Sequence, residues 1–315
     1  ADALPAPDAH WQRVSLDQLV AFFRQPSRYL LRQRLGLQLA RPDDELQDDE
    51  PFLPDWLAQQ ALADRLLSPL LAGVPAAQVQ ALAQAGTELP AGAFGARTLA
   101  LALGRLQQHA ARVINATRAP CLPPVDASLT LDVDGQHWQI DAGFADLRAS
   151  GLLRHRADLR RPADHLTAWL HHLLLCAARP AGVALRTRWL MQDGVIGYTE
   201  CDAPRAVLTE LLRLYASGLR EPLRFFPKSS WAYVVGGDNA GAASRSWTPS
   251  ARTPFAEGAD AAHRLAWRGR PDPVNADDGR LAHIAHTVFD PLLACLVDGP
   301  GHGTGQGDTT ENPPA

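Results

Sequence analysis

The hydrophobic period of this chain changes at one place, near Pro120, Pro123 and Pro124, and that change limits what it can fold into. Ahead of the prolines, apolar residues recur at helical spacing; behind them they alternate. Ser15 with Gln18 reads as a capping box, followed by Leu16, Leu19, Val20 and Phe23 on one helical face. Pro26 interrupts that face, because its ring cannot follow a helical turn. A second run carries Tyr29, Leu30, Leu31 and Leu35 and stops at Gly36. Further helices are expected at 55–72, 76–86 and 94–115, with an acidic connector, Asp43 to Glu50, read as a solvated loop.

Behind the prolines, Leu129, Leu131 and Val133 alternate with polar residues up to Asp134-Gly135, a hairpin signal. The return strand runs through Trp138 and Ile140 towards Leu147, and a short third strand fits Leu152 to His155. A helix is expected at 164–178, with Leu166, Trp169, Leu170, Leu173 and Leu174 on one side. A second hairpin over 182–200 turns at Asp193-Gly194, and helices follow at 204–219, 257–266 and 279–297. The expectation is a mixed α/β (α+β) domain over 15–297, with a helical section at 15–115 and the mixed core at 116–297. Residues 1–14 read as a linker, 298–315 as a flexible tail, and Gly236 to Pro254 as an irregular insertion. The centre of that insertion, Ser244-Arg245-Ser246-Trp247, reads as a contact loop or as plain disorder.

Composition removes several function classes. No stretch of the 315 residues approaches the roughly 18 apolar residues of a membrane span. The first ten residues lack the basic and apolar regions of a signal peptide, so a soluble, cytoplasmic protein with no membrane partner is expected. Cys121, Cys176, Cys201 and Cys295 are scattered without a C-x-x-C pair, and Cys176 and Cys295 read as core thiols. Lys228 is the only lysine and has no glycine loop before it, which excludes a P-loop. His171-His172 and the pair His283 and His286 lack the H-E-x-x-H pattern, so neither a metal nor another cofactor is expected. Trp138, Trp169 and Trp231 read as core residues.

The order helix, three strands, helix, strand is the one used by PD-(D/E)xK nucleases. Four ordered segments carry a more specific likeness: Ser15-Leu16-Asp17-Gln18-Leu19 through Pro26 to Arg34-Leu35; Glu50-Pro51-Phe52; Leu89-Pro90-Ala91-Gly92-Ala93-Phe94-Gly95; and Pro222-Leu223-Arg224-Phe225 with Pro227 and Trp231-Ala232. Together with Gly151-Leu152-Leu153-Arg154 and Trp169-Leu170 to Cys176-Ala177, they resemble the C-terminal region of the RecC family. The resemblance implies a restriction-endonuclease-like PD-(D/E)xK core and a part in DNA repair and recombination. It implies RecB-like and RecD-like partner subunits in exodeoxyribonuclease V, with double- and single-stranded DNA handled by the assembly. It also implies that residues 1–14 lead from an inactive helicase-like region.

In related active helicase-nucleases, G-x-x-D on one strand is followed by apolar-apolar-D-Y-K on the next. Gly143-Phe144-Ala145-Asp146 matches the first, but the second aligns with Leu152-Leu153-Arg154-His155-Arg156. Arg154 thus stands where the metal-binding Asp belongs and Arg156 where the Lys belongs. A guanidinium ~4 Å from a cation repels it by several kcal/mol at intermediate dielectric. The expectation is a catalytically degenerate site, with no catalytic residue and no metal, in which Asp146 and Arg154 form a cross-strand pair. The alternative is an active Mg²⁺-dependent nuclease that assembles Asp141, Asp146 and Asp158 in a shifted register. A third reading, an iron–sulfur nuclease of the AddB type, lacks its Cys-Pro entry, replaced here by Gln25-Pro26, and its later cysteine triplet. Arg148, Arg154, Arg156, Arg160 and Arg161 are candidate contacts to a DNA backbone.

Overall fold

A computed structural model describes residues 3–39, 56–86, 92–251, 253–276 and 278–297. The acidic connector, the segment Glu50-Pro51-Phe52, residues 89–91 of the third family segment and the glycine-containing tail lie outside the described residues. Among the described residues no helix is long and apolar enough to cross a membrane.

The chain is ordered from before residue 15. Leu4 donates its amide to the Arg220 carbonyl at 2.8 Å, and Arg13–Ser15 forms a short strand, β1. Ser15 then caps α1 (Leu16–Arg24) through the reciprocal bonds expected with Gln18, at 3.2 and 2.8 Å. Pro26 ends α1 and occupies the first turn of α2 (Pro26–Tyr29), which runs into a π-helical turn at Leu30–Arg34. Three helices follow: α3 (Trp56–Leu71), α4 (Ala76–Gln84) and α5 (Ala93–Ala116). They close around their own core of Leu62, Leu66, Val79, Leu99, Leu103 and Leu106, with Ala157 reaching in from the mixed section.

The mixed section holds β2 (Val125–Val133), β3 (Gln136–Phe144), β4 (Leu147–Arg148), β5 (Gly151–His155), α6 (Pro162–Ala178), β6 (Thr187–Met191) and β7 (Gly194–Tyr198). β3 sits between β2, antiparallel, and β1, parallel. The second sheet has the order β4-β5-β6-β7, and β5 and β6 are parallel across the α6 crossover. The hairpin at Asp134-Gly135 forms as expected; the second turns one residue earlier than expected, at Gln192-Asp193, with Gly194 already in β7 opposite Met191. Asp134 and Gly135 both take positive φ at the first turn, as its backbone twist requires. Past the last helix, Val297 donates to the Gly197 carbonyl and Thr199 to that of Cys295, both at 2.9 Å, and Leu296 bridges antiparallel to Tyr198.

α6 departs from the one-sided helix expected. It is buried without a break from Asp164 to Cys176. A helix enclosed on every side belongs in the middle of a fold, and α6 packs against α1, β2, β6, β7 and the two helices α7 (Pro204–Gly218) and α8 (Pro227–Val235). The main core gathers here, with Trp138, Trp169, Tyr198 and Tyr215 at 1% exposure or less. Trp231 is only partly buried, against Phe289.

The stretch 236–254 is not the irregular insertion anticipated. Asn239 accepts the Ala242 amide at 3.0 Å and starts a helix, α9 (Ala240–Trp247). Trp247 is buried against Phe226 and, with Trp267 and Leu281, makes a third small core, so it is not a contact residue. The expected helix at 257–266 is a 3₁₀ turn at Glu257–Ala259 followed by α10 (Ala261–Ala266), and the last helix is α11 (Arg280–Cys295). His286, on the polar side of α11, lies 2.9 Å from Asp290 and 3.0 Å from Asp238.

Candidate functional site

β3 ends at Phe144, and Asp146 follows where the chain turns towards β4. Arg154 lies on β5, directly beside Trp189 of β6. Its Nε donates to Asp146 Oδ2 at 2.7 Å and its Nη1 to His171 Nε2 at 2.9 Å, while the guanidinium stands 5.6 Å from the Trp189 ring centre. One cation is thus held from three sides, by a turn, by α6 and by β6. Burial, with Arg154 adding to it, pushes His171 down to about 3, so the ring is neutral and accepts the guanidinium proton. Sequence reasoning anticipated the Asp146 pair but missed His171 and Trp189, which come from distant segments.

A cleft of about 560 Å³ opens beside this group, lined by Arg13, Ser15, Asp126, Asp141, Arg154 and His171 among others. Arg13 donates to Asp141 at 2.8 Å, and Gln139 donates to the other carboxylate oxygen at 2.8 Å. The Gln139 bond first, then Arg13, holds Asp141 down at about 2. Arg156 turns elsewhere, to Asp158 at 2.5 Å and Asp164 at 3.4 Å. Burial raises the Asp164 carboxyl against the opposing pull of Arg156 and of Arg24, 3.7 Å away. Asp141, Asp146 and Asp158 therefore do not converge: each faces a different arginine. Among the described residues no group of three or more His, Cys, Asp or Glu side chains is disposed to hold a metal ion.

The five arginines singled out from the sequence are also separated. Arg160 pairs with Asp193 at 3.3 Å, and the Arg161 amide donates to Asp164 at 3.1 Å at the start of α6. Arg148 stands apart on the opposite side of the second sheet from Arg154. Leu147 and Leu152 pair and enter the main core, which turns Arg148 away from α6 towards α5. There it is 8% exposed and donates to the Thr117 carbonyl at 3.4 Å.

Comparison with known families matches residues 11–237 to the RecC C-terminal domain. The chain belongs to that family. RecC from Escherichia coli (strain K12), named as a RecBCD enzyme subunit, is 30% identical over 232 residues, 73% of this chain and 20% of that protein. The RecC of Mycobacterium tuberculosis (strain CDC 1551 / Oshkosh) is 28% identical over 323 aligned positions, 92% of this chain and 28% of that protein. The RecC of Mycolicibacterium smegmatis is 30% identical over 254 residues. The chain thus spans between a fifth and under a third of the length of these RecC relatives.

Proposed function

We propose that this chain is a non-catalytic scaffold and DNA-handling domain of a RecBCD-type helicase–nuclease, acting in double-strand break repair and homologous recombination. Its core is a PD-(D/E)xK nuclease-like fold whose cutting site has degenerated, with Asp146, Arg154 and Arg156 at the former metal and lysine positions. Its partners are RecB-like and RecD-like subunits and, in the assembly, double- and single-stranded DNA. RecC membership and the order α1, β2–β3–β5, α6, β6 support the fold and the assembly.

The observation that carries the loss of cutting is the placement of Arg154. Nucleases of this class use carboxylates to hold Mg²⁺, which stabilises charge on the attacked phosphate and activates water. The residues present here do not fit that ion. The guanidinium of Arg154 takes up the Asp146 carboxylate at 2.7 Å, and the neutral His171 ring closes the other side. Asp141, the next carboxylate on the cleft, is engaged by Arg13 and Gln139.

The test is incubation with linear and single-stranded DNA in Mg²⁺ or Mn²⁺, together with co-purification with RecB-like and RecD-like subunits. No cleavage, no metal-dependent rise in melting temperature, and stable association are expected. Metal-dependent cutting abolished by Asp146→Asn would replace this reading with that of an active nuclease.

A further inference from the structure

Most arginines around the candidate site face a carboxylate. On the opposite side of the second sheet the pattern stops. Arg118 follows α5, Arg148 lies on β4, Arg186 precedes β6 and Arg188 lies within it. Among the described residues none of the four has a carboxylate partner, and the three besides Arg148 have no side-chain bond at all. Arg148 is 8% exposed, its Nε has no acceptor, and its one bond, to the Thr117 carbonyl, is long at 3.4 Å.

The fold gathers these residues from three distant segments. The Arg148–Thr117 bond places Arg118 beside β4. Arg148 pairs with Gly151, and Leu152 donates its amide to the Arg186 carbonyl at 2.8 Å. Thr187 turns inward to His172, so strand alternation sends Arg186 and Arg188 to the same outer face as Arg148, where both are exposed. Lys and Arg are almost never buried unless paired. The negative end of α5 offsets part of the charge of Arg148, and Arg118, Arg186 and Arg188 around it are exposed.

We propose that Arg118, Arg148, Arg186 and Arg188 form a phosphodiester-binding patch for the backbone of DNA. Same-face residues two apart on a strand stand roughly 6.6 Å from one another. That is close to twice the ~3.4 Å axial spacing of charge along one strand of the duplex. The outer pair, Arg186 and Arg188, is thus spaced to meet phosphates along one strand, with Arg118 at the flank and Arg148 strengthening the local positive potential from within. The concentration of charge favours nucleic acid over a protein partner, since protein interface cores are depleted in charged residues whereas DNA interfaces are rich in cations. The proposal rests on the DNA-handling reading above and gives it a surface away from the Arg154 cleft.

The experiment measures binding of labelled duplex and single-stranded oligonucleotides to the full chain by fluorescence anisotropy, in EDTA across a salt series. Arg186→Glu with Arg188→Glu, both exposed, is compared with the unaltered chain, and Arg213→Glu, on a surface arginine already paired with Asp134, serves as the control. Expected are a loss of affinity of tenfold or more in the double variant, a salt slope shallower by roughly 1.4–1.8, and no change in the control. Arg118→Glu, which lies outside any strand, gives a smaller loss and guards against a folding defect in the sheet. Equal binding by the double variant, or no binding by the unaltered chain, overturns the proposal. So does retained DNA binding with lost association to RecB-like or RecD-like subunits, which would assign the patch to an acidic protein surface. Because EDTA excludes metal-dependent cutting, failure here leaves the scaffold reading standing, and discovery of a nuclease would leave the patch standing.

Discussion

Arg154 joins Asp146, His171 and Trp189, so its truncation removes a charged hydrogen bond, a ring acceptor's donor and a cation–π contact together. Hydrogen bonds to charged groups contribute about 1.5–3 kcal/mol. Asp146 is 43% exposed, and solvent screening reduces its share. Arg154→Ala should therefore cost about 1–2 kcal/mol in urea denaturation, and Arg154→Lys should recover only part, since an ammonium cannot span carboxylate and imidazole as the planar fork does. An unchanged midpoint in the alanine variant would show that the three contacts contribute nothing net. The Asp146–Arg154 pair was legible in the sequence because the two lie only eight residues apart, one in the turn before β4 and the other on β5 beside it. His171 and Trp189 were not, because a neutral imidazole used as an acceptor leaves no local mark.

At the scale of the element, α6 carries His165, His171 and His172 inside the fold. Burial is the first cause of depression in each, bringing them to about 4, 3 and 4. His172 is satisfied as a neutral ring, with Nε2 donating to the Thr199 carbonyl at 2.7 Å and Nδ1 accepting from Thr187 at 3.0 Å. The unfolded chain takes up these protons below pH ~6.5 and the native chain refuses them. Their stabilising effect is thus complete above that pH and falls as the solution is acidified, by on the order of 1 kcal/mol per histidine per pH unit. Asp164 and Glu257, whose carboxyls burial raises, work in the opposite direction nearer the carboxylate range. Between pH 7 and 5.5, burial makes His109, His155 and His263 act in the same sense, while His286, raised by its bond to Asp290, acts against them. With six rings against one, the urea midpoint should fall there; a flat profile would contradict neutral buried histidines. A backbone test of the same crossover is Gly151, at φ 120°, where a Cβ would sit 2.2 Å from the Arg186 carbonyl oxygen. Gly151→Ala should separate β5 from β6 at a cost of several kcal/mol, read as a lost or strongly lowered melting transition. The sequence showed α6 as amphipathic because histidines count as polar there; in the fold, hydrogen-bonded neutral rings pack like apolar ones.

At the scale of the whole molecule, α3 to α5 keep a core apart from the main one, which α1 and α2 share with the mixed section, and α5 joins the two. Arg112 donates to the Met191 and Gln192 carbonyls at 3.1 and 2.7 Å, fastening α5 to the sheet. Leu66 is fully buried in the helical core, so Leu66→Ala should cost about 2–5 kcal/mol there. Hydrogen exchange should then accelerate in α3 and α5 while α6 amides stay protected; equal acceleration in both would show one cooperative unit. Helices before the prolines and strands after them were readable from periodicity; that α1 and α2 pack into the core of the strands was not. That α5 forms the outer layer over the sheet was not, nor was β1, whose three residues are too few to show a period. The helix inside 236–254 escaped notice because Gly, Ala and Ser dominate it, and only Trp247 and Ala243 face inward.

The bonding of residues 295–297 alongside β7 bears on solubility. An unsatisfied strand edge offers its amides and carbonyls to any other extended chain, which is how sheets grow from one molecule into the next. By lying against Gly197 and Thr199, the stretch after α11 acts as a selvedge that stops the weave at that border. A chain shortened before Cys295 would keep its cores yet expose a raw margin, and clumping on concentration, rather than unfolding, would be its first defect.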